Sequence, residues 1–317
     1  MTLEACLPLD LQGRSATITR FAAGLSTAGV YRVEVADQTF ALKIASDSEP
    51  LTEWQRKLSI QQAAATAGLA PRIIHTNELR RAVLSAFVVD RSFPAFFMNP
   101  ATRESAIVQL GRMLRRVHAL PLASNAVGSD PVDVLRSLWL LLEPMFAVPA
   151  FVRDAIQRML AEEAPVRDRA LVVSHNDVNP SNLIYDGENL LLVDWDAASP
   201  NDPFYDLATI SVFARMDDAT CARMLTAYDG APVVELPARF TYNRRLMAIF
   251  GGTMLLRVAS FSGHGGASGD ETLESTLSLG EFYQRMQAGA VDVATAEGQW
   301  LFGLALVKTG TSLPRDR

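Results

Sequence analysis

Short alternating runs of apolar and polar residues dominate the first ninety positions and predict strands. One helix is predicted at 53–67, because helix-forming residues fill this stretch, Gly68 follows it and Pro71 blocks its continuation. The strands are expected at 16–21, 30–35, 39–44, 72–75 and 82–89.

Beyond position 90 the apolar residues recur at helical spacing, most clearly at 104–118. Further helices are predicted at 132–145, 152–163 and 299–308 and from residues 206, 219, 239 and 273, with short strands at 171–174 and 190–193. The pattern predicts an α+β fold with two parts. A small antiparallel-sheet N-terminal lobe covers 1–91, and a larger, mainly helical C-terminal lobe covers 92–317.

Composition narrows the choice of partners. The formal net charge of −6 argues against a nucleic-acid partner, because phosphate backbones bind basic surfaces. The apolar stretch 246–256 lies between Arg245 and Arg257 and is shorter than the roughly 18 residues that a membrane helix needs. The N-terminus lacks a basic signal-peptide segment, and Cys6 and Cys221 lack metal-site spacing. We expect a soluble, cytoplasmic protein that binds neither nucleic acid nor membrane.

The residues richest in chemistry lie at 174–183, which read S-H-N-D-V-N-P-S-N-L between two predicted strands. Phosphoryl transfer needs a carboxylate that accepts a hydroxyl proton and oxygen ligands that hold Mg²⁺ against nucleotide phosphates. Asp177 can serve as the first, and Asn182 and Asp194 as the second. A solvated turn would explain an isolated H-x-D. It does not explain the asparagine five residues later, the flanking strands and the later aspartate together.

These motifs resemble those of the aminoglycoside phosphotransferase and choline kinase superfamily, relatives of the protein kinases. The resemblance covers H-x-D-x-x-x-x-N from His175 to Asn182, D-W-D at 194–196, D-P-x-x-D-L-A at 202–208 and the helix end L-R-R-V-H-A-L-P at 114–121. It implies a bilobal protein-kinase-like fold and the cofactors ATP and Mg²⁺. It also implies a small-molecule alcohol as acceptor.

Roles follow from the resemblance, residue by residue. Asp177 would be the catalytic base, and Asn182 and Asp194 would ligate magnesium. His175 and Asp206 would brace the loop through hydrogen bonds.

The nucleotide side of the resemblance rests on the strand F-A-L-K-I at 40–44, which is similar to the kinase V-A-I-K strand. It makes Lys43 the partner of the α- and β-phosphates. The small-residue turn before the second strand would cover the phosphates through its backbone, with Gly24, Ser26 and Thr27 as the expected contacts.

The carboxylate partner of Lys43 is less clear in the sequence. The position where the resemblance expects a helix glutamate holds Lys57. Glu53, four residues earlier on the same helical face, could reach Lys43 or could instead pair with Lys57. The segment 90–93 would be the hinge that contacts adenine.

The sequence says least about the small molecule that accepts the phosphate. The sequence after Trp195 is closer to choline and ethanolamine kinases, and a quaternary ammonium group would favour aromatic faces with a carboxylate. Asp196 and Glu143 are the carboxylate candidates, and Asp196 could also face solvent or hold the loop. The aromatic candidates are Trp139, Tyr242, Phe250 and Trp300, for which a place in the core is the competing interpretation. Aminoglycoside, thiamine and sugar acceptors remain open.

Three classes of function are compatible with these motifs. The first is a small-molecule kinase, acting as a monomer or homodimer. The second is a catalytically silent kinase-fold binding protein, supported only by Lys57. The third is a protein kinase, disfavoured because D-F-G and A-P-E are absent.

Overall fold

The computed structural model describes residues 3–21, 29–35, 37–122, 128 and 130–314. Its contacts divide the chain into two units. The first unit comprises Met1–Pro121 and Ser181–Ala198, and the second comprises Leu122–Pro180 and Ser199–Arg317. This division differs from the expected boundary at 91/92.

A five-stranded antiparallel sheet forms the centre of the first unit, in the order β1-β2-β3-β5-β4. Its strands are β1 (Ala16–Arg20), β2 (Gly29–Val35), β3 (Gln38–Ile44), β4 (Ile73–Asn77) and β5 (Ala82–Ala86). Alternate residues such as Val33, Phe40, Leu42 and Leu84 point into one apolar cluster. The period-two pattern therefore placed this sheet correctly.

Within its described residues the first unit also contains three α-helices and a hairpin: α1 (Leu51–Thr66), α2 (Phe93–Met98), α3 (Arg103–His118), β7 (Leu183–Tyr185) and β8 (Leu190–Leu192). The main-chain N–H of Leu192 donates to the Leu69 carbonyl at 2.8 Å, and that of Arg91 donates to Tyr185 at 2.7 Å. The rings of Phe96 and Tyr185 stack with centroids 4.0 Å apart. These contacts explain why the unit extends past residue 91 and takes in the later hairpin.

The second unit is mainly helical. It contains α4 (Pro131–Leu142), α5 (Ala150–Ala161), α6 (Pro203–Phe213), α7 (Asp218–Asp229), α8 (Ala238–Phe261), α9 (Leu279–Gln287), α10 (Ala296–Ser312) and the strand pair β6 (Val172–Ser174) with β9 (Ser199–Asn201). Trp139, Tyr242 and Trp300 are buried in one of its apolar clusters, and Phe250 packs against that cluster. The core interpretation of these aromatic residues is therefore confirmed. Among the described residues, no helix has the length and apolar character that crossing a membrane requires.

Some elements differ from the predictions. The helix expected from Leu273 is wrong, because that residue lies in a turn and α9 begins only at Leu279. A capping box between Ser278 and Glu281 sets this start. Strands β7 and β9 and helix α2, of three to six residues each, were not predicted. Elements this short display little period, and the equally short β6 and β8 were found only through the apolar runs at 171–173 and 190–193.

Helices α8 and α10 approach each other closely where each has a glycine. A methyl group placed on Gly252 would lie 2.7 Å from the Gly303 carbonyl oxygen, and one on Gly303 would lie 2.9 Å from the Gly252 oxygen. The neighbouring Gly251 differs, because its methyl would meet Leu306 at an ordinary 3.6 Å. The contact between the helices therefore depends on the missing side chains at Gly252 and Gly303.

We predict that Gly252→Ala destabilises the protein, because the clash with backbone costs about 1–3 kcal/mol. This exceeds the gain of up to about 1 kcal/mol in helix propensity. Gly251→Ala is the matched control and should be neutral or slightly stabilising. Urea unfolding measures both. Equal effects of the two substitutions would contradict the close approach.

Both cysteines are free and buried. Burial raises the pKa of the Cys221 thiol to about 11 and also raises that of Cys6. Thiolates are the reactive species, so both groups are expected to be inert in the folded protein.

We predict that the native protein reacts with a thiol reagent such as Ellman's reagent at pH 8 far more slowly than the unfolded protein, in which both thiols react. The rate should rise with denaturant in step with unfolding. Rapid native labelling of Cys221, identified by mass spectrometry, would contradict the buried environment.

Candidate active site

The backbone immediately before Asp177 is held by a single carboxylate, that of Asp206. Strand β6 ends at Ser174, and the next two main-chain N–H groups, of His175 and Asn176, each donate to Asp206 at 2.8 Å. Asp206 and His175 are fully buried. The two residues predicted to brace the loop thus come together, with the His175 backbone as a donor. Because buried amides need acceptors, this contact fixes the chain immediately before Asp177.

Asn176 turns the chain toward Asp177. Its φ of 63° is left-handed, a conformation that asparagine tolerates better than most residues. Its Nδ2 donates to Ser199 Oγ at 2.7 Å, and its Oδ1 accepts from Asn201 Nδ2 at 2.8 Å. Ser199 and Asn201 lie two positions apart on β9, so their side chains share one face of that strand. The strand pair β6–β9 therefore holds the turn through side chains as well as backbone.

Asp177 accepts a hydrogen bond from Asn179 Nδ2 at 2.9 Å, and its carbonyl accepts from the Asn179 N–H at 3.0 Å. The Asn179 amide therefore holds one carboxylate oxygen of Asp177 in place. Tyr205 lies in the same electrostatic environment. Burial, and then the charges of Asp206 and Asp177, raise its pKa, so the phenol stays protonated.

We predict that Asn176→Ala lowers both stability and turnover, because alanine loses the two side-chain hydrogen bonds and adopts left-handed φ at a cost of about 1–2 kcal/mol. Asn176→Gly keeps the conformation and loses only the hydrogen bonds, so it should be the milder change. Unfolding midpoints and kcat test this order. A glycine variant as impaired as the alanine variant would show that the conformation is unimportant.

In the first unit, the hairpin β7–β8 brings the predicted metal ligands next to each other. The main-chain N–H of Val193 donates to the Asn182 carbonyl at 3.0 Å, which sets Asn182 beside the start of the D-W-D segment. Asp194 has a left-handed φ of 62° and precedes a single 3₁₀ turn, Trp195–Ala197. The buried Trp195 indole donates to the Leu192 carbonyl at 3.1 Å. The turn is therefore anchored by Trp195, which lies between Asp194 and Asp196.

Lys43, the second-to-last residue of β3, contacts both of these aspartates. Its Nζ is 2.6 Å from Asp194 Oδ1 and 2.6 Å from Asp196 Oδ1. Burial alone lowers the pKa of Lys43, but the charges and hydrogen bonds of Asp194 and Asp196 outweigh it and leave the pKa above its usual value. The ammonium group therefore stays charged. Asp196, considered above as a substrate residue, contacts the lysine in this structure.

The structure gives Glu53 a different partner from either alternative above. Its carboxylate forms a two-point pair with Arg56 at 2.6 and 3.0 Å, which lowers the pKa of Glu53. Lys57 pairs with Glu49 at 2.6 Å. Of the two alternatives left open for Glu53, neither the contact with Lys43 nor the ion pair with Lys57 is formed in this structure. The reason is that Arg56, one turn further along α1, competes for the same carboxylate.

The remaining predicted residues are placed as follows. Gly24, Ser26 and Thr27 lie outside the described residues. Glu143, at the end of α4, is 3.8 Å from Arg153 Nε, a contact between two partly exposed side chains. In the expected hinge, the Arg91 N–H bonds to Tyr185 as described above. The Ser92 N–H donates to Asp90 at 2.8 Å. The main-chain N–H groups of Arg91 and Ser92 therefore both have acceptors within the first unit.

Several residues that shape the site had no role in the sequence predictions: Asn179, Ser199, Asn201 and Arg56. The three-residue spacing of Glu53 and Arg56 on a helix is a signal that could have found their pair. The alternation of Ser199 and Asn201 would have placed them on one face. Nothing in the sequence names Asn176 as their partner, because that contact depends on the pairing of β6 with β9.

Asn182 and Asp194 offer an amide and a carboxylate as metal ligands. Mg²⁺ prefers oxygen ligands and is usually held by one or two protein groups together with substrate phosphates and water. In the part of the chain that the structure describes, no group of three or more His, Cys, Asp or Glu side chains could hold a metal on its own. The donor chemistry therefore fits a magnesium ion shared with a nucleotide.

An antiparallel five-stranded sheet with a lysine on its central strand, together with a mainly helical unit, defines an α+β protein of the protein-kinase-like class. The chain belongs to the phosphotransferase enzyme family known as APH, whose model matches residues 17–242, more than half of the sequence.

Individual proteins match this chain either at low sequence identity or over a short stretch. A choline/ethanolamine kinase family protein from Mesorhizobium loti superposes with a TM-score of 0.62 at 17% identity, over 95% of this chain and 96% of that one. A spectinomycin phosphotransferase solved with ADP and spectinomycin gives 0.57 at 15% identity, over 93% of each chain. Protein LicA from Haemophilus influenzae is 32% identical over 62 residues. This stretch spans 20% of the present chain and 18% of LicA.

Proposed function

We propose that this protein is an ATP-dependent phosphotransferase that moves the γ-phosphate of ATP to a hydroxyl group of a small molecule. The observation that carries the proposal is the braced loop: Asp206 fixes the backbone before Asp177, and Asn182 follows five residues later along the chain. Membership of the phosphotransferase enzyme family supports the same reaction.

Each residue of the motif has a distinct task in this proposal. Asp177 accepts the proton of the acceptor hydroxyl, while Asn179 holds one of its oxygens in place. Asn182 and Asp194 hold the magnesium ion, and Lys43 donates to the nucleotide phosphates. Bound magnesium would neutralise charge on the transferred phosphoryl group. The ADP complex of the spectinomycin enzyme supports a nucleotide in this fold.

For the acceptor we propose a cationic amino alcohol such as choline or ethanolamine. The Mesorhizobium loti protein is described as a choline/ethanolamine kinase family member, and the net charge of −6 favours a cationic substrate. The spectinomycin enzyme supports an aminoglycoside as the second candidate. Since Trp139, Tyr242 and Trp300 are core residues, they do not argue for choline. Thiamine and sugar acceptors, a cytoplasmic location and a monomeric or homodimeric state stay predictions from the sequence.

We predict that Asp177→Asn lowers kcat for phosphate transfer by roughly 10²–10⁴-fold, the usual contribution of a general base, while ADP affinity changes less than about twofold. The assay is a screen of amino alcohols, aminoglycosides, thiamine and sugars with ATP and magnesium. Asp168→Asn, which removes an exposed carboxylate of the same unit, is the matched control and should keep full activity. Removing magnesium with EDTA should abolish transfer.

Other outcomes would point elsewhere. ADP binding without transfer to any hydroxyl compound would favour the silent binding protein. Transfer to protein serines alone would favour a protein kinase. An unchanged kcat in Asp177→Asn would refute the proposed base.

A further inference from the structure

Resting on the proposed function, we propose that Asp196 is the positioning residue that holds Lys43 toward the nucleotide phosphates. In this protein that task falls to the D-W-D turn rather than to a carboxylate of helix α1.

The contacts of Lys43 carry the first step. Its ammonium group contacts two carboxylates at 2.6 Å each, and both belong to the D-W-D segment that the buried Trp195 anchors. Asp194 is a proposed magnesium ligand, so its carboxylate would be shared with the metal. Asp196 has no such second task. It is therefore the carboxylate that can hold the lysine throughout the reaction.

The second argument is that helix α1 has no carboxylate available for Lys43. Glu53 is the sole acidic residue within its sequence, LTEWQRKLSIQQAAAT. Arg56 occupies that carboxylate at two points. Glu49, just before the helix, pairs with Lys57. Glu53 and Glu49 are thus both paired with cations other than Lys43.

The third step is the link that α1 does make to the turn. Nη1 of Arg56 donates to the Ala198 carbonyl at 2.8 Å, immediately after the turn that contains Asp196. A cation on the helix therefore contacts the turn, and a carboxylate on the turn contacts the strand. Helix α1, the turn and strand β3 are therefore connected. The helix supplies a cation, Arg56, and the turn supplies the carboxylate, Asp196, that contacts Lys43.

The competing interpretation is an incidental surface ion pair, since the Asp196 side chain is 46% exposed. Such pairs contribute little to stability. The two interpretations differ in what the substitution changes. A positioning residue affects nucleotide affinity through Lys43, whereas an incidental pair affects neither affinity nor catalysis.

The test measures ADP binding by calorimetry in EDTA, so that it does not depend on the metal or on turnover. We expect Asp196→Asn to weaken ADP binding about tenfold, the effect of losing one charge-assisted hydrogen bond. Asp196→Glu should restore part of the affinity. Asp47→Asn, which removes an exposed carboxylate four residues from Lys43, controls for loss of charge and should change affinity less than about twofold.

A double-mutant cycle with Lys43→Met shows whether Asp196 acts through the lysine. In the Lys43→Met background, Asp196→Asn should have no further effect on ADP affinity. An additive loss would overturn the proposal. With ATP and magnesium, the expected change is a higher KM for ATP and an unchanged KM for the acceptor.

The opposite results are equally informative. A higher acceptor KM with unchanged ADP affinity would make Asp196 a substrate residue and overturn the proposal. So would a loss of ADP affinity in Glu53→Gln that equals that of Asp196→Asn. If the unsubstituted protein transfers phosphate but Asp196→Asn binds ADP normally, only this inference fails. If the unsubstituted protein does not bind ADP, the proposed function fails with it. Unfolding midpoints confirm that each variant is folded.

Discussion

Two adjacent main-chain amides, of His175 and Asn176, donate to one buried carboxylate, Asp206. A buried carboxylate is costly unless donors surround it, and buried amides are costly without an acceptor, so each group removes the penalty of the other. The contact fixes the chain direction one residue before Asp177. From that point the chain turns at Asn176, which has a left-handed φ and is held by hydrogen bonds to β9.

The first unit solves a different electrostatic problem. Lys43, Asp194 and Asp196 lie within ion-pair distance and together carry one net negative charge. This balance suits a divalent cation, which binds oxygen ligands best where negative charge is in excess. The 3₁₀ turn keeps both carboxylates in reach because Trp195, between them, is buried and bonded to Leu192. Packing in this unit thus determines where its charges lie.

The sequence was sufficient for the sheet, most long helices and the H-x-D-x-x-x-x-N loop, because each has a period or a spacing that is local in the chain. It was insufficient wherever partners are distant. Lys43 contacts Asp194 and Asp196 rather than Glu53, and the first of these contacts joins residues 151 positions apart in the chain. The expected helix at Leu273 failed for a local reason: Ser278 and Glu281 form a capping box that starts the helix later. The expected phosphate-covering residues, Gly24 among them, lie outside the described part.

The first unit is discontinuous in the chain, since it gains Ser181–Ala198 only after α4, α5 and β6 have been made. A ribosome therefore releases the sheet, α2 and α3 well before the hairpin that bonds to Leu69 and Arg91. During synthesis, the surface that the hairpin later covers stays exposed while about sixty further residues are made. Completion of the first unit and emergence of Asp194 consequently coincide, so the nascent chain acquires both metal-ligand candidates only as this unit closes.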